Sequence, residues 1–149
     1  MHIQDDRTEQ QAVAHVHTDL RGFLDTLCLN DSSREAIVIL ACLGGFAGSC
    51  AARAVCQYLA TNGMPHTTVA TLPFQIETTA RRERAGSHLR KLGRTTARAF
   101  VVNGGAIEYQ LGAEFTLRHG FHLFDARVLS SLDLARQTAL DVGFGDDLP

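Results

Sequence analysis

This sequence has no excess charge of one sign, no long apolar run, no paired-cysteine motif and no repeat. Fourteen basic residues stand against sixteen acidic ones, a formal net charge of −2. Nothing in that balance makes the chain as a whole a nucleic-acid or anionic-membrane binder. No apolar stretch approaches the roughly 18 residues of a membrane-spanning helix, and the polar N-terminus does not read as a signal peptide. The four cysteines, Cys28, Cys42, Cys50 and Cys56, form no CxxC pair and no disulfide framework. Three of them fall in segments expected to be buried, where a thiol acts as a small hydrophobe, so a reducing cytoplasm is expected. No Ser/His/Asp or Cys/His pattern sets up a nucleophile. With 149 residues, 45% of them hydrophobic, the chain reads as one globular domain over 1–149 with loose ends at about 1–7 and 143–149.

The stretch that is present and informative is Glu35 to Ala60. An apolar run, Ala36 to Leu43, passes into the glycine-rich turn Gly44-Gly45-Phe46-Ala47-Gly48 and then into an alanine-rich segment. That order is buried strand, tight loop, helix, and it aims backbone N–H groups and a helix dipole at an anion. The loop lacks the lysine and spacing of a Walker A sequence, and its glycines do not follow GxGxxG. Adjacent glycines let a backbone approach a phosphate closely, and Ser49 offers a hydroxyl donor. The plainer reading, equally open, is a tight strand-to-helix connection.

Along the chain, Val13, Val16, Leu20, Phe23, Leu24 and Leu27 make one stripe of an amphipathic helix over Thr8 to Cys28, broken at Asn30-Asp31-Ser32-Ser33. Ala36 to Leu43 is expected to be a strand buried on both faces. The next helix stops at Asn62-Gly63, with Pro65 beyond. Thr67 to Leu72 is a second strand, Glu77 to Leu92 a third helix, and Ala99 to Val102 a third strand ending at Asn103-Gly104-Gly105. Ala106 to Gly120 reads as a helical turn and a loop, and Phe124 to Leu140 as the last helix. Alternating strands and helices predict an α/β three-layer sandwich with a small parallel sheet.

Taken together these segments resemble the GTPase domain of the FtsZ/tubulin family, over about residues 20 to 140. That family carries a strand, a GGGTGTG or GGGTGSG loop and an alanine-rich helix, and LGGFAGSCAARAV is similar to a degraded copy. A strand ending in Pro73-Phe74 follows, then Glu77 and Arg81 at the four-residue step of the family's EGxxR. Next come Val101-Val102-Asn103, and a long helix over Phe124 to Leu140. The resemblance implies the second half of the family's nucleotide-binding domain. It implies that Gly44, Gly45, Phe46, Ala47, Gly48 and Ser49 meet nucleotide phosphates, Glu77 the ribose, Arg81 the ribose or phosphates, and Asn103 the guanine of GTP or GDP. The family holds the base with an aromatic residue and, four residues on, an aspartate. Leu129 and Asp133 have that spacing, with no phenylalanine to stack, whereas alignment on Arg136-Gln137 puts Leu132 at the aspartate's place. Without the resemblance, Glu77 and Arg81 are simply an i,i+4 ion pair.

The chain also departs from that family. Nothing before Glu35 resembles its first strand and GxGGxGxN loop, and neither the catalytic aspartates nor the C-terminal subdomain has a counterpart. Leu43, Phe46 and Cys50 replace a glycine, a threonine and a glycine. The expectation is a catalytically silent binding or assembly module that pairs with itself or a full-length relative, without GTPase activity. Residues 36–43 would form an exposed edge strand available for homodimerisation. The alternatives are a GTP/GDP-binding protein whose cradle is completed by dimerisation, and an unrelated Rossmann-like anion-binding domain. The latter would be favoured if Ala36–Leu43 did not lie beside Thr67–Leu72.

Two further patterns receive plainer readings. His15-x-His17 and His119-x-x-His122 read as surface or packing histidines, since the first pair falls on different helix faces and the second lies in a loop with no thiolate near it. Seven of the fourteen basic residues fall between Glu77 and Arg98, but without interleaved aromatics as stacking platforms they make nucleic acid an unlikely partner.

Overall fold

The computed structural model describes residues 8–15, 22, 37–96 and 98–142. Residues 8–15 are helical (α1). Then follow β1 (Ile37–Cys42), α2 (Phe46–Thr61), β2 (His66–Leu72), α3 (Thr79–Leu92), β3 (Arg98–Asn103), α4 (Gly104–Leu111), a 3-10 turn (Gly112–Glu114) and α5 (Leu117–Val142). Val16 to Cys28 of the expected first helix, the break at Asn30–Ser33 and the two ends lie outside the described residues, apart from helical Gly22.

The strands form one parallel sheet in the order β1-β2-β3. Ile37 pairs with His66 and Cys42 with Thr71 on one side of β2, and Thr67 with Arg98 and Leu72 with Asn103 on the other. Parallel neighbours need crossovers, which α2 and α3 supply. β1 therefore lies beside β2, as an FtsZ/tubulin-like order requires.

Side chains alternate across the sheet and divide the core in two. On one face Ile39, Ala41, Leu43, Ala70 and Leu72 meet Ala52 and Cys56 of α2 and Ala85, Leu89 and Leu92 of α3. Small residues on α2 let that helix lie close to the strands. On the other face Val102 packs with Phe74, Ile107 of α4, and Leu123, Phe124 and Val128 of α5. α5 crosses all three strands, and Ala135 is buried. This is the expected three-layer α/β arrangement.

Two expectations need correction. The apolar β1 is the expected edge strand among the described residues, but it is not buried on both faces: Leu40 is 49% exposed and Cys42 is exposed. The buried strand is β2, whose first six residues are all inside despite three threonines. Both its edges are paired and helices cover both its faces, and one of its hydroxyls finds partners: Thr68 Oγ1 lies 3.5 Å from Cys56 Sγ and 3.2 Å from Thr96 Oγ1. Secondly, Ala106 to Gly120 is not a turn and loop. Most of it belongs to α4 and to the start of α5, which begins at Leu117 rather than Phe124.

Candidate functional site at the C-terminal edge of the sheet

Parallel strands bring the ends of β1, β2 and β3 to one edge of the sheet, where open α/β folds bind ligands. Three of the four predicted groups meet there. The first is the glycine loop. Leu43 N–H extends the ladder by donating to the Thr71 carbonyl (3.0 Å). Gly44 then turns at φ +114°, and a Cβ there would lie 3.0 Å from Arg81 Cγ and 3.4 Å from the Arg81 carbonyl. Glycine is thus needed at 44 twice over, for its backbone conformation and for the side chain stacked on it. Arg84 Nη1 donates to the Gly44 carbonyl (3.3 Å).

Gly45 caps α2 without any side-chain hydrogen bond, and the first turn carries no acidic residue. That leaves the positive end of a 16-residue helix facing a loop whose Gly45, Phe46, Ala47 and Gly48 are exposed. Ser49 does not add a donor there: it is 1% exposed and its Oγ has no hydrogen-bond partner. Cys50 also turns away from the loop, packing with Val13 and Ala54. Burial, then the Glu9 carboxylate, push its thiol up, partly opposed by Arg53 and Lys91. Burial likewise pushes the Cys56 thiol up, so neither buried thiol is disposed to react.

The second group follows β2. Glu77 uses both carboxylate oxygens: Oε1 accepts from Phe74 N–H (2.9 Å) and Oε2 pairs with Arg81 Nε (2.8 Å). Both residues therefore sit beside the glycine loop, engaged with each other. The segment is braced further by Glu108 of α4, whose Oε2 accepts from Gln75 N–H (2.7 Å) and Ile76 N–H (3.2 Å). Arg82 Nη1 donates to the Gln75 and Glu77 carbonyls.

The third group is the end of β3. Asn103 Oδ1 accepts from Gly105 N–H (3.0 Å) and caps α4. Gly104 sits against the end of β2: a Cβ there would lie 2.9 Å from Phe74 N and 3.0 Å from the Leu72 carbonyl. The two loops are thereby locked together.

Asp133 is the exception. It lies 16 residues beyond the first residue of α5, which at 1.5 Å per residue is about 24 Å along the helix. The start of α5 is what reaches the edge of the sheet. Phe121 makes an edge-on contact with Phe74 at 5.2 Å between ring centroids, and Asp125, one turn later, is exposed. Sequence reasoning missed this aromatic-and-aspartate pair because it began the helix too late. Thr116 was the available signal, since its hydroxyl accepts from His119 N–H (3.2 Å) and caps α5. Among the described residues no three His, Cys, Asp or Glu side chains gather to hold a metal, and no helix is long and apolar enough to cross a membrane.

Neither a scan against models of protein families nor a search of curated proteins finds a match. Solved structures do match in shape. An empty FtsZ dimer from M. jannaschii superposes with a TM-score of 0.65 at 20% identity, over 78% of this chain and 33% of that one. GDP-bound monomeric CetZ1 from Haloferax volcanii gives 0.62 at 17%, over 80% and 36%. A GTPγS-bound CetZ2 protofilament from the same organism gives 0.62 at 23%, over 93% and 39%. The fold is FtsZ/tubulin-like. The chain spans about a third of the length of the structures it matches. In this FtsZ/tubulin-like domain the glycine loop, the Glu77–Arg81 pair, Asn103 and Phe121 share one edge, and β1 is the strand with an unpaired side among the described residues.

Proposed function

We propose that this chain is an FtsZ/tubulin-like assembly module that associates with itself through the β1 edge and does not hydrolyse GTP. The observation that carries the reading is β1 itself. Its sequence, IVILAC, has no charge and no proline to discourage pairing. Its outer side has no strand partner among the described residues, and Leu40 is half exposed. Such an edge is a template for another strand. That similar structures include a dimer and a protofilament supports association as a property worth testing. A full-length relative is the other candidate for the same edge.

The absence of catalysis is supported by the loop. Phe46 projects a large side chain from the first residue of α2, and Glu77 and Arg81 neutralise one another. A second reading, GTP or GDP binding with the cradle completed by dimerisation, is favoured by the uncapped α2 N-terminus beside Arg81. Phe121 and Asp125 are then the residues that hold the base, in place of Leu129 and Asp133.

Light scattering on size-exclusion peaks at micromolar concentration is expected to give a dimer or larger species, and Leu40→Lys to give a monomer. A monomer for both would overturn the assembly reading. Calorimetry with GTP and GDP in magnesium separates the two readings. Sub-micromolar binding that Arg81→Ala abolishes selects the second, and no binding selects the first.

A further inference from the structure

The direction of the backbone along β1 says how a second copy would meet it. Leu43 N–H donates to the Thr71 carbonyl, so Ile37, Ile39 and Ala41, which alternate in step with Leu43, turn their backbone groups towards β2. Val38, Leu40 and Cys42 turn theirs to the open side, where no strand lies among the described residues. Their side chains share the face opposite to Ile39 and Ala41, which pack on α2 and α3. They therefore stand on the α5 side of the sheet. The open side is thus an uncharged row with Leu40 at its centre and one residue of the same backbone direction on either side. The other edge differs: β3 opens with an exposed Arg98, a charge that discourages strand addition.

We propose that two copies join antiparallel about a two-fold axis at Leu40, merging two three-stranded sheets into one and closing the assembly at a dimer. This rests on the reading that β1 is the associating edge. A two-fold axis perpendicular to the sheet brings the same edge of both copies together, reverses the strand direction and carries each helical layer across the seam on its own side. An antiparallel pair bonds outward-facing residues only to outward-facing residues. Centred on Leu40, the pair sets Leu40 opposite the partner's Leu40 and Val38 opposite the partner's Cys42, so every outward-facing N–H and C=O finds a partner. Any shift of register leaves at least one of the three residues unbonded. The half-exposed Leu40 is then covered by its own copy, and a charge at position 40 would meet itself across the axis. Pairing β1 with the β3 edge of the next copy would be head-to-tail and open-ended, and would bring Arg98 into the seam.

Disulfide trapping in the full chain reads the register. Residues paired on the axis stand about 5.5 Å apart at Cα, within reach of a disulfide. Cys42 and the partner's Cys42 are four residues out of register, about 14 Å apart and beyond reach. The background is Cys28→Ser, with Cys50 and Cys56 buried, under mild oxidant at concentrations where light scattering gives a dimer. There, Leu40→Cys with Cys42→Ser should cross-link at least about tenfold faster than native Cys42 does, because a held pair reacts as if intramolecular. Val38→Cys with Cys42 retained should cross-link too, and lose this with Cys42→Ser, which keeps the test decisive if the Leu40 variant fails to fold. The proposal is overturned, with the assembly reading intact, if a dimer forms and neither engineered pair cross-links, or if native Cys42 cross-links as fast as they do. Species larger than a dimer that Leu40→Lys dissolves overturn it as well. A chain that stays monomeric up to high-micromolar concentration overturns both.

Discussion

A methyl group at Gly104 tests how the two halves of the candidate site are locked together. A Cβ there would stand 2.9 Å from Phe74 N, 3.0 Å from the Leu72 carbonyl oxygen and 3.0 Å from Pro73 C. All three are backbone atoms at the end of the central strand, so none can rotate away. The β3–α4 turn and the β2–α3 loop must move apart by several tenths of an ångström, in a region fixed by Glu77 and Glu108. Overpacking of this kind costs about 1–3 kcal/mol, of which alanine's better helix propensity returns up to about 1. At about 2–4 °C per kcal/mol for a domain of this size, that net cost of up to about 3 kcal/mol should lower the Tm of Gly104→Ala by up to about 12 °C. Gly105→Ala is the control. Its Cβ would meet the Gln75 side-chain amide at 2.8 Å, the movable end of an exposed residue, so its stability should change by less than about 0.5 kcal/mol. Calorimetric melts of the two variants decide the matter. Equal Tm values, or a Gly104→Ala protein more stable than its parent, would refute the close approach on which the site rests.

Other substitutions probe separate parts of the structure. Thr116→Ala removes the cap of α5 and should cost about 1 kcal/mol in urea unfolding, with no change in m-value. Arg81→Ala breaks an ion pair whose arginine is more than half exposed, so chemical denaturation should register less than about 1 kcal/mol. Acid should weaken the fold through His88. Burial, partly opposed by the Glu9 carboxylate and reinforced by Lys91, Arg53 and Arg84, holds its folded pKa below the ordinary 6.5. Unfolding therefore lets it take up a proton, and stability falls as pH drops below about 6.5. Stability measured from pH 7.5 to 5 should show a shallower slope in His88→Gln than in the parent.

Local sequence signals located most elements, and their failures have physical causes. The stop at Asn62-Gly63 was legible because Gly63 does adopt φ +65°. β1 reads as the most interior strand because hydrophobicity reports what residues tolerate, not how many neighbours the strand has. β2 looked less apolar because three of its buried residues are threonines, of which Thr68 finds hydroxyl partners within the core. α4 was hidden by Gly104-Gly105, which suggests a break but serves a close approach. The start of α5 was hidden by Gly120, where a Cβ would lie 2.6 Å from the Phe115 ring. In the site, Glu77 and Arg81 were legible from their helical spacing and Asn103 from its place after a strand. The Phe121–Asp125 pair was lost with the helix start. The pairing of Glu9 with Arg53 and Lys91 was beyond reach, since these partners lie 44 and 82 residues away. Three of the seven basic residues between Glu77 and Arg98 read differently in three dimensions: Arg82, Arg84 and Lys91 are engaged with the chain's own carbonyls and carboxylate.

The central claim is that the outer side of β1 is a surface for association. Amide hydrogen exchange of residues 37–42, followed from sub-micromolar to high-micromolar protein, tests it most directly. Pairing predicts that the outward-facing N–H groups of β1 gain protection as concentration rises, while those of β2 do not change and Leu40→Lys abolishes the gain. Exchange along β1 that is the same at every concentration would contradict the claim.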